Sequence, residues 1–244
     1  MEAIPLEAEF LAAVRAVGGI SAVPLILDVL CRSTGMGFAA VARVTGERWI
    51  ACSVRDDIGF GLLPGGELKV TTTLCHEVRE GRETIAIDDV AEDAKYRGHH
   101  TPAMYGFQSY VSTPIVLADG SFFGTLCAID PRPASVKTPE KLGMFKLFAE
   151  LIAAHLDAVK RLDSSEESLR EERATAELRE QFIAVLGHDL RSPLNAVAGS
   201  AQLLSQQPLG AAALATVGRI DRSVKRMSAL IDDVMDFARG RLGS

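Results

Sequence analysis

The chain has 244 residues, 48% of them hydrophobic, enough to build a sizeable core in one or two domains. Its formal net charge is −6, Lys and Arg never cluster beyond a pair, and aromatic residues make up only 6%, which excludes a nucleic-acid footprint and a base-stacking platform. No apolar run reaches membrane-spanning length, and the acidic opening MEAIPLEAEF lacks the features of a signal peptide, so the expectation is a cytoplasmic protein with no membrane insertion.

The first part of the chain mixes helix and strand signals. Phe10, Leu11, Val14 and Val17 recur at helical spacing before Gly18-Gly19. A second helix is expected from a Ser21 cap, with Pro24 in its first turn and Gly35 as its stop. Strand-like segments come next at 37–44, 49–54 and 68–72, then a helix over 73–80 ending at Gly81 and a short strand over 84–87. The run AEDAKYRGHHTPAMYGFQ reads as irregular. Two alternating apolar runs, SYVSTPIVL and SFFGTLCAI, are joined at Ala118-Asp119-Gly120, a hairpin signal. A helix starting near Pro139 places Leu142, Phe145, Phe148, Leu151, Ile152, His155, Leu156 and Val159 on one stripe.

The segment KRLDSSEESLREERATAELRE, residues 160–180, holds no Pro or Gly, so that helix has no stop signal. Apolar residues persist at a seven-residue interval, at Leu162, Leu169, Ala176, Ile183, Leu190, Val197 and Leu204, which implies left-handed helix-on-helix pairing. The helix breaks at Gln206-Gln207-Pro208-Leu209-Gly210. A second runs from 211 to about 238, with Ala213, Val217, Ile220, Val224, Met227, Ile231, Val234 and Ala238 as its seam. Two helices joined by a short turn make an antiparallel hairpin. One hairpin cannot bury both stripes, whereas two give a four-helix bundle, so a homodimer is expected.

His188 lies in this first bundle helix, within FIAVLGHDLRSPLNAV. With Ile183 and Leu190 as a positions, His188 is f and faces solvent. An imidazole offers a neutral nucleophilic nitrogen at about neutral pH, and Asp189 beside it can orient the ring or take its proton. Pro193 has no N–H for the carbonyl of Asp189, and a bend is expected there. On these residues alone, an exposed helix histidine is more often inert than reactive.

GHDLRSPLNAV resembles the phospho-acceptor box of the HisKA-type dimerisation and phosphotransfer domain of sensor histidine kinases, and DDVMDFARGRLG resembles the end of that domain's second helix. The resemblance implies that His188 is the phosphoacceptor and Asp189 its general base. It also implies that Ser192, four residues on, stands where the family orients water for phosphatase action. Arg191 offers a guanidinium to a phosphoryl group. No Asn-rich box, DxGxG or glycine-rich lid comes after the second helix. The chain is therefore read as truncated before the ATP-binding domain and unable to phosphorylate itself, with ATP and Mg2+ serving the full-length kinase and the receiver domain of a response regulator as partner.

CHEVREGRETIAIDDVAEDAKYRGHH and SYVSTPIVLADGSFFGTLCAIDPRP resemble a GAF domain, which implies an α+β fold: an antiparallel sheet with flanking helices on one side and a small-molecule pocket on the other. Tyr96, Tyr105, Phe107 and Tyr110 are the candidate pocket walls, with core or dimer contacts as the competing reading. Cys75-His76 superficially resembles a bilin attachment site, but no bilin or other bound cofactor is expected. The GAF ligand stays unnamed. His76, His99 and His100 lack the spacing of a metal site, and the four cysteines form no CxxC pair, so no metal is expected. The expected organisation is a GAF sensor domain over 1–160, a signalling coiled-coil linker over 161–181 and a HisKA hairpin over 182–244. The GAF signal would reach His188 through one continuous helix. The competing function is a dimeric GAF ligand-binding or scaffold module with a non-catalytic helical tail.

Overall fold

The computed structural model describes residues 6–208 and 210–240, apart from the side chains at 6, 7, 179, 180, 183–188 and 237–240. The chain divides into two compact units, Met1–Asp163 and Ser164–Ser244.

The first unit holds one antiparallel sheet of six strands in the order β3-β2-β1-β6-β5-β4. The strands are β1 (Phe38–Val44), β2 (Arg48–Asp56), β3 (Glu67–Lys69), β4 (Ile85–Ile87), β5 (Ser109–Val116) and β6 (Phe122–Asp130). Successive side chains point to opposite faces, and here both faces are covered, so β1 is almost wholly buried. Ala39, Val41, Leu126 and Ala128 pack against helices α1 (Leu6–Gly18), α2 (Val23–Thr34) and the start of α5 (Pro139–Ser205). Phe38, Ala40, Ala42, Cys127 and Ile129 face the other way, into a second core with Trp49, Leu74 and Tyr110. Two short helices, α3 (Cys75–Gly81) and α4 (His100–Tyr105), lie in the connections between strands.

The β5–β6 hairpin turns as its sequence predicts. Gly120 takes φ 78°, its N–H donates to Leu117 O at 2.9 Å, and the Asp119 carboxylate accepts from Ser121 N. Elsewhere local chemistry shifts the expected boundaries. Ser21 does not cap α2. The cap residue is Ala22, whose side chain makes no bond, because the chain leaves α1 in a tight turn in which Val23 N already donates to Ile20 O. The strand expected over 68–72 stops at Lys69. Thr72 and Thr73 turn their hydroxyls onto the carbonyls of Lys69 and Val70 and wind the chain into a 3-10 turn. Gly81 stays inside α3, and Arg82 takes the left-handed position at φ 57°. The stretch expected to be irregular contains α4, capped by the His99 ring, which accepts from Thr101 N. On α5, Phe145, Ala149, Ile152, Ala153 and Leu156 are buried, while Leu151, His155 and Val159 lie on the exposed edge of the stripe. Leu11 of α1 is likewise exposed.

The second unit consists of the remainder of α5 and helix α6 (Ala211–Gly240). Helix α5 continues through Pro193 and ends at Ser205. Leu209 and Ala238 of the expected break and seam lie outside the described residues or side chains. Among the described residues no single helix is long and apolar enough to cross a membrane.

Two glycines separate steric need from helix propensity. A Cβ at Gly124 would meet the backbone oxygen of Ala42 at 1.8 Å, so Gly124→Ala should destabilise the first unit by about 2–3 kcal/mol or more. A Cβ at Gly143, on α5, meets nothing, so Gly143→Ala should stabilise by about 0.5–1 kcal/mol. Urea titrations of the two variants should move the midpoint in opposite directions.

Candidate functional site

Two places gather the residues singled out by sequence. In the second unit, position 188 lies in helical backbone within α5, and the His188 side chain is outside the described residues. Asp189, Ser192 and Pro193 are exposed, and Ser192 falls one turn beyond position 188 on the same side of the helix. The Arg191 guanidinium is engaged by an acid that sequence reasoning missed. Its Nε donates to Asp232 Oδ1 of α6 at 3.2 Å, and its Nη2 reaches the same oxygen. Asp232 carries no sequence signal of its own, since only the antiparallel return of α6 brings it opposite Arg191.

The seam predicted for this unit is only partly closed. Val217 and Val224 of it are buried, together with Ala201 and Met235, which the heptad count did not include, and close α5 on α6. Leu190, Val197 and Leu204 of α5, and Ile220, Met227 and Val234 of α6, recur every seven residues and remain exposed. Between the helices an open groove of about 780 Å³ is lined by Asn195, Ala198, Gln202, Leu214 and Lys225, among others. Well-packed interiors leave few voids larger than a water.

In the first unit, the sheet face turned away from α1, α2 and α5 encloses a small cavity of about 40 Å³. One water needs roughly 10–15 Å³ on this measure, so there is room for a few small atoms. Tyr105, Phe107 and Tyr110 of the expected aromatic wall line it, as do Phe38, Trp49, Phe60, Cys75 and Cys127. Tyr96 does not. It is buried to one side, where its hydroxyl donates to Glu77 Oε2 at 3.3 Å and accepts from Lys95 Nζ at 2.7 Å. Phe38, Trp49 and Cys127 were legible only through strand alternation once the pairing was known, because nothing in their local sequence marks a pocket. Asp56 organises one rim: its carboxylate accepts from the amides of Ile58, Phe60 and Gly61 and holds the loop that brings Phe60 and Leu62 over the cavity.

Around Cys75, which lines the cavity, Thr125 Oγ1 donates to Sγ at 3.3 Å, and the hydroxyls of Tyr110 and Ser112 lie 3.4 and 3.7 Å from the same sulfur. The adjacent Cys127 thiol, the hydroxyls of Thr125 and Tyr110 and the nearby Trp49 indole hold the Cys75 thiol below its ordinary range, against the opposing effect of burial. Cys127 is pushed well up by its position beside Cys75 and by burial. Burial likewise keeps the Tyr110 hydroxyl protonated far above the usual tyrosine range. Among the described residues no group of three or more His, Cys, Asp or Glu side chains is arranged to hold a metal ion.

Comparison with known proteins agrees with this division. Residues 20–156 match the family model of the GAF domain, and residues 178–243 match that of the His Kinase A (phospho-acceptor) domain. The autoinducer 2 sensor kinase/phosphatase LuxQ of Vibrio cholerae is 36% identical over 75 residues, covering 31% of this chain and 9% of that protein. The signal transduction histidine-protein kinase BarA of Escherichia coli is 34% identical over 68 residues, covering 28% and 7%. A bacteriophytochrome of Pseudomonas aeruginosa is 36% identical over 83 residues, covering 34% and 11%. The chain thus spans only a small part of these relatives. Among solved structures, the PixJ GAF domain of Thermosynechococcus elongatus superposes with a TM-score of 0.53 at 14% identity, covering 69% of this chain and 98% of that one. This likeness shows the fold.

The Arg191–Asp232 pair is about half exposed on both sides, where such bonds contribute no more than about 1 kcal/mol. Arg191→Ala should therefore change the unfolding free energy by less than about 1 kcal/mol in a urea titration. A larger loss would make Arg191 a structural clamp of the hairpin.

Proposed function

We propose, from the premise that this chain belongs to the sensor histidine kinases with a GAF and a HisKA domain, that it couples the state of its GAF domain to phosphorylation of His188. The observation that carries this reading is the phospho-acceptor match over residues 178–243, which includes His188. An imidazole nitrogen of His188 attacks the γ-phosphorus of ATP held with Mg2+ by an ATP-binding domain, and ADP leaves. Asp189 takes the proton from the other ring nitrogen as the N–P bond forms, which keeps the ring from accumulating charge. The phosphoryl group then passes to an aspartate in the receiver domain of a response regulator. Ser192, one turn away, can orient by its hydroxyl a water that attacks the regulator's aspartyl phosphate, releasing inorganic phosphate and the free aspartate in phosphatase action.

Two copies of the α5–α6 hairpin form the four-helix bundle that presents position 188 outward. The GAF domain occupies 1–160, the linker 161–181 and the HisKA hairpin 182–244, and a change in the first reaches His188 through α5. The absence of a helix break between Lys141 and position 188 supports this route. The four cysteines are unpaired and buried, in keeping with a reducing, cytoplasmic compartment.

The test is phosphoryl transfer from Mg-ATP in the presence of a histidine-kinase ATP-binding domain. The chain should gain an acid-labile phosphoryl group on His188, His188→Gln should gain none, and Asp189→Asn should slow labelling by about 100-fold. Labelling that persists in His188→Gln would overturn the reading and leave a GAF scaffold with an inert tail. Inserting one residue between Leu169 and Ala176 should rotate the downstream part of the helix by about 100° and abolish signal control while His188 remains phosphorylatable. Unchanged control in a kinase carrying the insertion would rule out helical transmission.

A further inference from the structure

The cavity of the first unit holds chemistry that the phosphotransfer reading does not use. We propose that Cys75 and Cys127 form an oxidisable dithiol site whose substrate is hydrogen peroxide. The site stands on the first unit alone and does not depend on what His188 does.

Cys75 opens α3, and Cys127 lies on β6 directly opposite Ser112 of β5. Both line the same cavity. Cys75 Sγ is ringed by the hydroxyls of Thr125, Tyr110 and Ser112, all buried. Thr125 donates to this sulfur, and Tyr110 and Ser112 can each donate or accept; a thiol has one S–H to give, whereas a thiolate accepts from all three. A second observation points to a ligand. Trp49 is 3% exposed and lines the cavity, and its indole N–H has no hydrogen-bond partner among the described residues. The same N–H helps to lower the Cys75 thiol from nearby, but it makes no formed bond to the sulfur. A buried donor left unpaired costs stability, and an oxygen of a bound molecule would satisfy it. The rest of the wall is largely apolar, and the volume of about 40 Å³ suits a molecule of two heavy atoms. Phe60, Leu62, Leu68 and Tyr105 at the rim are half-buried and give a way in.

The other two cysteines are internal controls. Burial pushes the Cys31 and Cys52 thiols up to about 11, and the bond made by Cys52 Sγ runs to the Ile50 carbonyl at 3.9 Å, which does not favour a thiolate.

The reaction balances in two steps. The Cys75 thiolate attacks one peroxide oxygen, the O–O bond breaks, and Cys75 becomes a sulfenic acid as water leaves with the proton Cys75 gave up. The Cys127 sulfur then attacks the Cys75 sulfur, the S–O bond breaks, and a second water carries off the Cys127 proton. Two thiols lose two electrons to one peroxide, and the product is a Cys75–Cys127 disulfide.

Reduced protein treated with equimolar hydrogen peroxide tests this by intact mass and peptide mapping. The expected result is a Cys75–Cys127 crosslink with Cys31 and Cys52 still reduced. Cys127→Ser should stop at a sulfenic acid on Cys75 that dimedone traps, and Cys75→Ser should leave Cys127 unmodified. Thr125→Val and Trp49→Phe should each slow the reaction by about ten-fold with the far-UV spectrum unchanged, and tert-butyl hydroperoxide should react at least about ten-fold more slowly because it does not fit. Survival of all four thiols, or first oxidation at Cys31 or Cys52, overturns the proposal. The mapping on unsubstituted protein decides this even if a cysteine variant fails to fold.

Discussion

Leu190, Val197 and Leu204 on α5, and Ile220, Met227 and Val234 on α6, stand exposed at seven-residue intervals in a single chain. Full burial of one such side chain contributes roughly 1.5–3 kcal/mol, so leaving six about half exposed forgoes a substantial part of what a small helical unit has to hold it together. Helices of this kind draw their stability from packing an apolar face rather than from intrinsic propensity. The inner stripe of Ala201, Val217, Val224 and Met235 closes the hairpin but leaves the outer stripe and the groove beside it unfilled. The proposed second copy, presenting the same surface, would satisfy both. Under the proposed function, the heptad phase that puts Leu190 in the seam is also the one that assigns position 188 to the f position, so the proposed assembly and the proposed chemistry rest on one periodicity.

A different constraint shapes the first unit. Its sheet is covered on both faces, which is why β1 opens on an unbroken apolar run, Phe38 to Ala42, and not on an alternation. One face is filled by α1, α2 and the start of α5. The other is covered by loops and the short helices α3 and α4, and loops fill space less completely, so the cavity lies there. Ser112, Thr125 and Cys127, around the Cys75 sulfur, are held by the β5–β6 register, while Cys75 itself stands at the start of α3.

Much of this was legible in the sequence where one local rule governed. Asp119-Gly120 set the hairpin, Gly35 stopped α2, and the absence of Pro and Gly across 160–180 carried α5 into the second unit. The sequence misled where side chains competed for the backbone. Thr72 and Thr73 cut β3 short, and the His99 ring nucleated a helix in a stretch with no apolar period. Residues that meet only through tertiary structure left no local trace. Trp49 and Cys127 reach the cavity through strand alternation in β2 and β6, and Asp232 reaches Arg191 through the return of α6. Tyr96 resembled its neighbours in composition, yet its Glu77 and Lys95 bonds turn it away from the cavity.

If the outer heptad stripe is an interface between two copies of this chain, sedimentation equilibrium measures it most directly. The unsubstituted chain should sediment as a dimer, and the chain with Leu190 and Met227 both replaced by glutamate as a monomer, with the fold of the first unit retained. A monomeric unsubstituted chain, or a dimer that survives both substitutions, would contradict this assembly.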